Sequence, residues 1–511
     1  MAHRLSARAS DALDRLLARL AAGRTADVTA LALLAAYWVV WSAYGIVAKS
    51  SQDIHFDMGE AVVWSHEALA ANPKHPPLSA WPVWLWFHVF PQADWAYYAL
   101  AMLLAAVALY AAWRVSGHYL EGDKRAAALA LLTLVPFFNF HALKYNANAV
   151  MVPLCALATW ALIHAFRTRR PLPAALAGLA AGAAMLGKYW SIMLLVGLGV
   201  AVLTHPDRRK YFRSASPWIT IVVGALVLAP HVVVLLAPGS TTFAYAMASH
   251  LGTFWTGLRS GIDYVFGALG YCALPAVVAW LATRPSRAAV RDTLWPRDAD
   301  RRFALIAFAV PILLPMAAAA AAKAVIVSLW SIGGTALLGV VLLSSPQVDL
   351  PRAMARRILV IAIAVPLIAL AASPVVAYVI HREGVRNHAA FYRLVAQASE
   401  QAWRNATARP LKIFGSYDTL LYGASFYFEA PPRTFEIATP RVTPWTGEAD
   451  VRRDGIVMAC PADARGCVTA LEARAAQAPG AVRSEASLAR EWLGIRGAAE
   501  RFVFAVVPPG Q

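Results

Sequence analysis

Residues 28–48 read VTALALLAAYWVVWSAYGIVA, an uncharged run bounded by Asp27 and Lys49. Coiled as a helix it would be about 32 Å long, enough to cross the roughly 30 Å hydrocarbon layer of a bilayer. Ten further runs of this kind predict spans at 94–113, 126–143, 147–166, 172–187, 189–204, 217–237, 264–283, 303–320, 324–344 and 358–380. The whole chain agrees: of 511 residues 59% are hydrophobic and 15% charged, and the mean hydropathy is +0.53, far too apolar for a water-soluble globular protein. The fold class these runs predict is an all-α polytopic membrane protein of about eleven transmembrane helices, followed by a small soluble α/β domain at the C-terminal end.

The 46 Lys and Arg against 29 Asp and Glu give a net charge of +17. These cations sit in short clusters between apolar runs rather than on one folded face, which argues against a nucleic-acid partner. Their distribution orients the chain. With the N-terminus cytoplasmic, the inner segments hold 24 Lys and Arg and the outer loops six: Lys49, Lys74, Lys144, Lys188, Arg259 and Lys323. That asymmetry follows the positive-inside rule and predicts a multi-pass protein of the inner (plasma) membrane with its C-terminal domain extracytoplasmic.

Three regions follow. Residues 1–26 place Leu5, Leu13, Leu16, Leu17 and Leu20 near helical spacing among arginines, predicting an amphipathic helix on the cytoplasmic surface. Residues 27–381 form the transmembrane domain, whose first outer loop is 49–92. Residues 382–511 carry 16 basic and 13 acidic residues with no run long enough to cross a bilayer, and make a soluble domain. Its apolar strands are predicted at 411–414, 455–460 and 502–507, among helices near 386–403, 419–428 and 463–477. Cys460 and Cys467 flank a short turn on the oxidising side and can pair, whereas Cys155 and Cys272 lie in apolar spans.

Polar chemistry gathers on the outer side. Four of the membrane part's carboxylates, Asp53, Asp57, Glu60 and Glu67, fall in the first outer loop, where a helix is predicted from Asp57 to a stop at Asn72-Pro73. On such a helix Asp57 and Glu60 are three residues apart and share a face. The same side of the membrane receives Lys74, His75, His141, Lys144, Asn146, Asn148, Lys188, Tyr189 and Lys323. A lysine at a span end commonly reaches for the headgroups, and a carboxylate row can be only a solvated face. Several such lysines beside an acidic loop also provide what a site needs to hold a phosphate leaving group and take a proton from a nucleophile.

Asp57-Met58-Gly59-Glu60-Ala61 with Trp64-Ser65, followed by Lys74-His75-Pro76-Pro77-Leu78, resembles the first-loop signature of the GT-C glycosyltransferases of family 39 and the aminoarabinose-transferase type. Lys144-Tyr145-Asn146-Ala147-Asn148 and Gly187-Lys188-Tyr189 resemble the next two outer-side motifs, so the likeness covers roughly residues 28–240. The resemblance implies an inverting transfer of a sugar from a polyprenyl-phosphate donor to a lipid, glycan or protein acceptor on the extracytoplasmic side. It implies a catalytic acid at Asp57 or Glu60. Asp57 is favoured as the base for its shorter, more rigidly held side chain, with Glu60 supporting it. Many relatives carry an adjacent Asp-Glu pair where this chain has Gly59-Glu60. The resemblance further implies substrate contacts at Lys74, His75, Lys144, Asn146, Asn148, Lys188 and Tyr189. Relatives often carry an acid where Asn148 stands, and no cofactor is expected; a divalent metal would find no clear ligand set.

No phosphate loop or dinucleotide fingerprint occurs in a strand-to-helix context, since Gly182 to Lys188 is followed by Tyr189 inside an apolar run. A secondary transporter or another lipid-handling membrane protein is the alternative reading. A transporter would show repeated halves and polar groups near the midplane, and neither is seen.

Overall fold

The computed structural model describes residues 2–68, 70, 72–237, 245 and 250–510. Among them, seven helices are long and apolar enough to cross a membrane: Thr25–Ala48, Asp94–Ser116, Ala147–Thr168, Ser216–Leu236, Phe254–Thr283, Ala299–Ala322 and Arg352–Glu383. Three shorter apolar helices, Pro171–Gly187, Tyr189–Thr204 and Ser328–Leu343, fall on further expected runs. The run 126–143 differs. It is α-helical only over Gly122–Leu132, and a 3-10 turn at Pro136–Phe138 follows. Pro136 lacks the N–H that would continue the ladder. The run 324–344 is likewise wound as a 3-10 helix over Ser328–Leu337 before its α-helical end at Leu338–Leu343.

The chain divides into two compact units. The first comprises residues 1–42, 74–79 and 99–369; the second comprises 43–73, 80–98 and 370–511. The second unit therefore takes in the end of the helix Arg352–Glu383 and most of residues 49–92.

Within the first unit, small residues let helices approach closely. A Cβ on Gly178 would lie 2.4 Å from the Thr220 carbonyl oxygen, and one on Gly182 would lie 2.8 Å from Val227 Cβ. This Gly-x-x-x-Gly pair seats Pro171–Gly187 directly on Ser216–Leu236, the packing device expected where lipid supplies no hydrophobic drive between helices. Ser216–Leu236 leaves Ile221, Leu226 and Val233 exposed, as a lipid-facing helix should. The N-terminal helix Ala2–Ala21 buries Leu17 and Leu20. Its Asp14 pairs with Arg352 at 3.0 Å and with Arg356 at 3.0 Å.

In the second unit the tail forms a five-stranded sheet in the order β2-β1-β3-β5-β4: β1 Ile413–Ser416, β2 Arg433–Glu436, β3 Ile456–Pro461, β4 Val482–Trp492 and β5 Ile495–Val507. β1 is parallel to β2 and β3, whereas β5 is antiparallel to β3 and β4. Along β3 the side chains alternate between two cores. Val457 and Ala459 join Tyr392, Trp403, Leu421 and Phe504, while Ile456 and Met458 join Ile413, Phe435 and Leu471. A strand covered on both faces reads as one unbroken apolar run, which is why it is visible in the sequence. Cys460 and Cys467 form a disulfide, and Cys155 and Cys272 are buried free thiols.

Candidate functional site

The site residues fall into two groups, one in each unit. The acidic group stands on the first-loop helix Phe56–Glu67. His55 caps its start, accepting the Asp57 N–H on Nδ1 at 3.1 Å, and the same nitrogen lies 3.5 Å from Asp57 Oδ1. One turn on, Glu60 is buried, while the Asp57 side chain is 21% exposed. Asp57 is thus the more accessible of the two acids. The helix is braced from outside: Tyr97 donates its hydroxyl to the Met58 carbonyl at 2.8 Å, and Trp64 packs with Ala68, Ala80 and Trp445.

The tail presses hardest at Gly59. A Cβ there would lie 2.2 Å from the carbonyl oxygen of Tyr422, which belongs to the helix Asp418–Ser425. The position preceding Glu60 therefore has no room for any side chain. The Tyr422 phenol is held well above its usual range, first by burial and then by the charges of Glu60, Asp418 and Glu436.

Asp53 is not part of the acidic row. It is fully buried and accepts Arg490 Nη1 at 2.6 Å and the backbone N–H of Arg393 at 3.0 Å, while its own N–H donates to the Ala389 carbonyl at 2.7 Å. Arg393 reaches on to Asp94 at 3.1 Å. At the other end of the helix, burial raises the Glu67 carboxyl pKa and the charge of Arg433 partly offsets this.

The cationic and amide group lies in the first unit. Lys188, at the end of Pro171–Gly187, is buried and donates to Asn148 Oδ1, with its Nζ 4.9 Å from the ring centre of Trp330. Asn148 is oriented by the start of Ala147–Thr168, where the Asn146 side chain caps the helix by accepting the Asn148 N–H at 2.9 Å. Asn148, Asn146, Lys144 and His141 line one cavity of about 390 Å³, closed by Phe137, Tyr271 and Ile332. Tyr189 is placed differently, with its hydroxyl 2.7 Å from His231 Nε2. Lys74 lies 5.6 Å over the Tyr245 ring. The turn that follows Lys74 and His75 is pinned by Tyr145, which is fully buried and donates to the Ser79 carbonyl at 2.7 Å.

Three predicted residues, Lys144, Asn146 and Asn148, thus share a cavity with His141, and Lys188 joins them through Asn148. Trp330, Tyr271, His231 and Tyr145 carry the site too but are not singled out by the sequence, because an aromatic residue beside an apolar run reads as core or membrane belt. Among the described residues, no group of three His, Cys, Asp or Glu could hold a metal ion.

The fold is similar to that of crystal structures of ArnT from Cupriavidus metallidurans. For the one bound to undecaprenyl phosphate the TM-score is 0.61 at 13% identity, covering 93% of this chain and 97% of that one. The chain has the GT-C fold. The apo structure of the same ArnT gives a TM-score of 0.59 at 12% identity over the same shares of the two chains. The family described as dolichyl-phosphate-mannose-protein mannosyltransferase matches residues 74–234. That stretch contains Lys74, His75, Lys144, Asn146, Asn148, Lys188 and Tyr189 and begins after Asp57 and Glu60. A search of curated proteins finds no match.

Proposed function

We propose that this GT-C chain is a membrane glycosyltransferase that moves a sugar from a polyprenyl-phosphate donor to an acceptor on the extracytoplasmic side, inverting the anomeric carbon. The observation that carries the reading is the cavity in which Lys144, Asn146, Asn148 and His141 converge, with Lys188 bound to Asn148 behind it. Support for the carrier class comes from ArnT, whose crystal structure holds undecaprenyl phosphate.

In the proposed reaction the acceptor hydroxyl or amine loses its proton to Asp57 and attacks the anomeric carbon from the face opposite the phosphate. The bond from that carbon to the phosphate oxygen breaks, and its electron pair leaves with the prenyl phosphate. Lys188, Lys144 and Lys74 offset the charge that grows on the departing phosphate, where fixed ammonium groups are worth most in a site screened from water. Asn146 and Asn148 orient the sugar or the phosphate, and Asn148 also fixes the Lys188 ammonium. His55 caps the helix that presents Asp57, and Glu60 supports that helix.

The deciding experiment incubates the purified protein with defined prenyl-phosphate sugars and scores free prenyl phosphate. Release from one donor class supports the reading, and no release from any of them in the presence of lipid, glycan and peptide acceptors sinks it. Asp57→Asn should abolish release with the fold intact, and Glu60→Gln should lower it less. Full turnover by Asp57→Asn would exclude it as the base.

A further inference from the structure

The β4–β5 hairpin ends in a turn of two residues, Leu493 and Gly494, between the paired Trp492 and Ile495. Both turn residues have positive φ, +50° and +77°. Glycine suits that backbone, but a leucine there is strained by its Cβ. Leu493 is nonetheless 81% exposed, the most exposed large hydrophobic residue described. A strained and apolar residue held in the open is seldom kept for the fold alone.

The neighbours of the turn say where it lies. Trp492 donates its indole N–H to Ser50 Oγ at 3.0 Å, and Arg490 donates to the Ser50 carbonyl at 3.1 Å. Ser50 follows the outer end of the span Thr25–Ala48. His381, in the last turn of Arg352–Glu383, faces Trp492 with ring centres 5.9 Å apart, and its Nε2 lies 3.0 Å from the Ile495 carbonyl. The hairpin tip is thus tied to the ends of two spans at once. Within two turns back along the second of these, Val375, Tyr378 and Val379 are exposed on one side of that helix. Arg382 and Arg496 are exposed near the tip, Arg496 opposite Glu491 across the hairpin and Arg382 beside Glu383.

We propose that Leu493 inserts into the bilayer that the spans cross, docking the β4–β5 hairpin on the leaflet where the tail lies. Span ends mark the headgroup level, an apolar tip held there reaches the acyl boundary about 5–10 Å below, and surrounding arginines meet lipid phosphates. Trp492 is suited to the same layer, with an apolar ring and a polar N–H.

The test uses the full chain in vesicles of phosphatidylethanolamine and phosphatidylglycerol. The native thiols are buried or bridged, so Leu493→Cys can be labelled with an environment-sensitive fluorophore, with Ser484→Cys at the far end of the same hairpin as the control. The probe at 493 should emit further to the blue than the control, and lipids spin-labelled near the headgroup should quench it about twofold more. Emission and quenching equal to those at 484 would overturn the proposal. So would cross-linking between 493 thiols of two chains without lipid quenching, which would make the tip a contact between copies. If Leu493→Cys does not fold, Ile495→Cys reads the same environment.

Discussion

Substituting Gly59 by alanine probes how the acid-bearing helix is held. On an open helix this change is favourable by about 0.5–1 kcal/mol, because glycine gives up more backbone freedom on folding. Here the added Cβ meets the Tyr422 carbonyl oxygen at 2.2 Å, the Tyr422 carbonyl carbon at 2.8 Å and Gly423 Cα at 3.3 Å, all of them backbone atoms that cannot swing aside. Ordinary contact begins near 3.4 Å, so the first-loop helix and the helix Asp418–Ser425 must part by roughly 1 Å. Overpacking of this kind costs about 1–3 kcal/mol, leaving a net destabilisation of up to about 2.5 kcal/mol once the propensity gain is subtracted. The effect on chemistry should be larger. Moving a reacting group by about 1 Å can cost on the order of a hundredfold in rate. Gly59→Ala should therefore lower kcat for prenyl phosphate release about a hundredfold, with donor KM little changed, since the proposed phosphate contacts belong to other segments. Steady-state kinetics in parallel with thermal unfolding in detergent separates the two effects. A variant with raised melting temperature and undiminished kcat would refute the close-contact argument.

Lys188→Ala should raise donor KM, and an unchanged donor dependence would remove Lys188 from the phosphate site. Asp53→Asn leaves Arg490 without its charged partner inside the protein, and breaking such a pair costs about 3–5 kcal/mol, visible as a fall in the melting temperature. Arg490→Lys should recover less than full stability relative to wild type, because an ammonium cannot reproduce the two directed contacts to Asp53 and Ser50. Glu67 is a carboxyl whose pKa rises on folding, so its contribution falls as pH climbs from the unfolded toward the folded value. Glu67→Gln should accordingly stabilise the protein at neutral pH and have little effect in acid, as followed by unfolding across a pH series. Equal stabilisation at both ends would rule out the titration.

Hydropathy makes most of the spans legible, since a run such as 28–48 has few other uses. Lys144, Asn146, Asn148 and Lys188 are legible because the alternation of basic loops places them on one predicted side of the membrane. What hydropathy misses is local or long-range. Pro136 ends a helix that the apolar run 126–143 would continue. β4, reading VRSEASLAREW, is largely exposed and lacks a buried apolar stripe, and its turn has Leu493-Gly494 in place of the familiar Asn-Gly, so the hairpin leaves little trace. Asp53 has the same residue type as Asp57, and only the arrival of Arg490 from the far end of the chain separates a structural carboxylate from a candidate base. The glycine at 59 looks like an interruption of an acidic pair until Tyr422 is seen against it.

The seating of Phe56–Glu67 against Asp418–Ser425 has a consequence for engineering. A hybrid that keeps residues 1–369 but borrows the tail of another protein of this fold would bring a foreign surface against Gly59, so loop and tail must be transplanted as a pair. A protease cut that sheds everything past the last span would remove Tyr422 and leave the acidic helix without its seat.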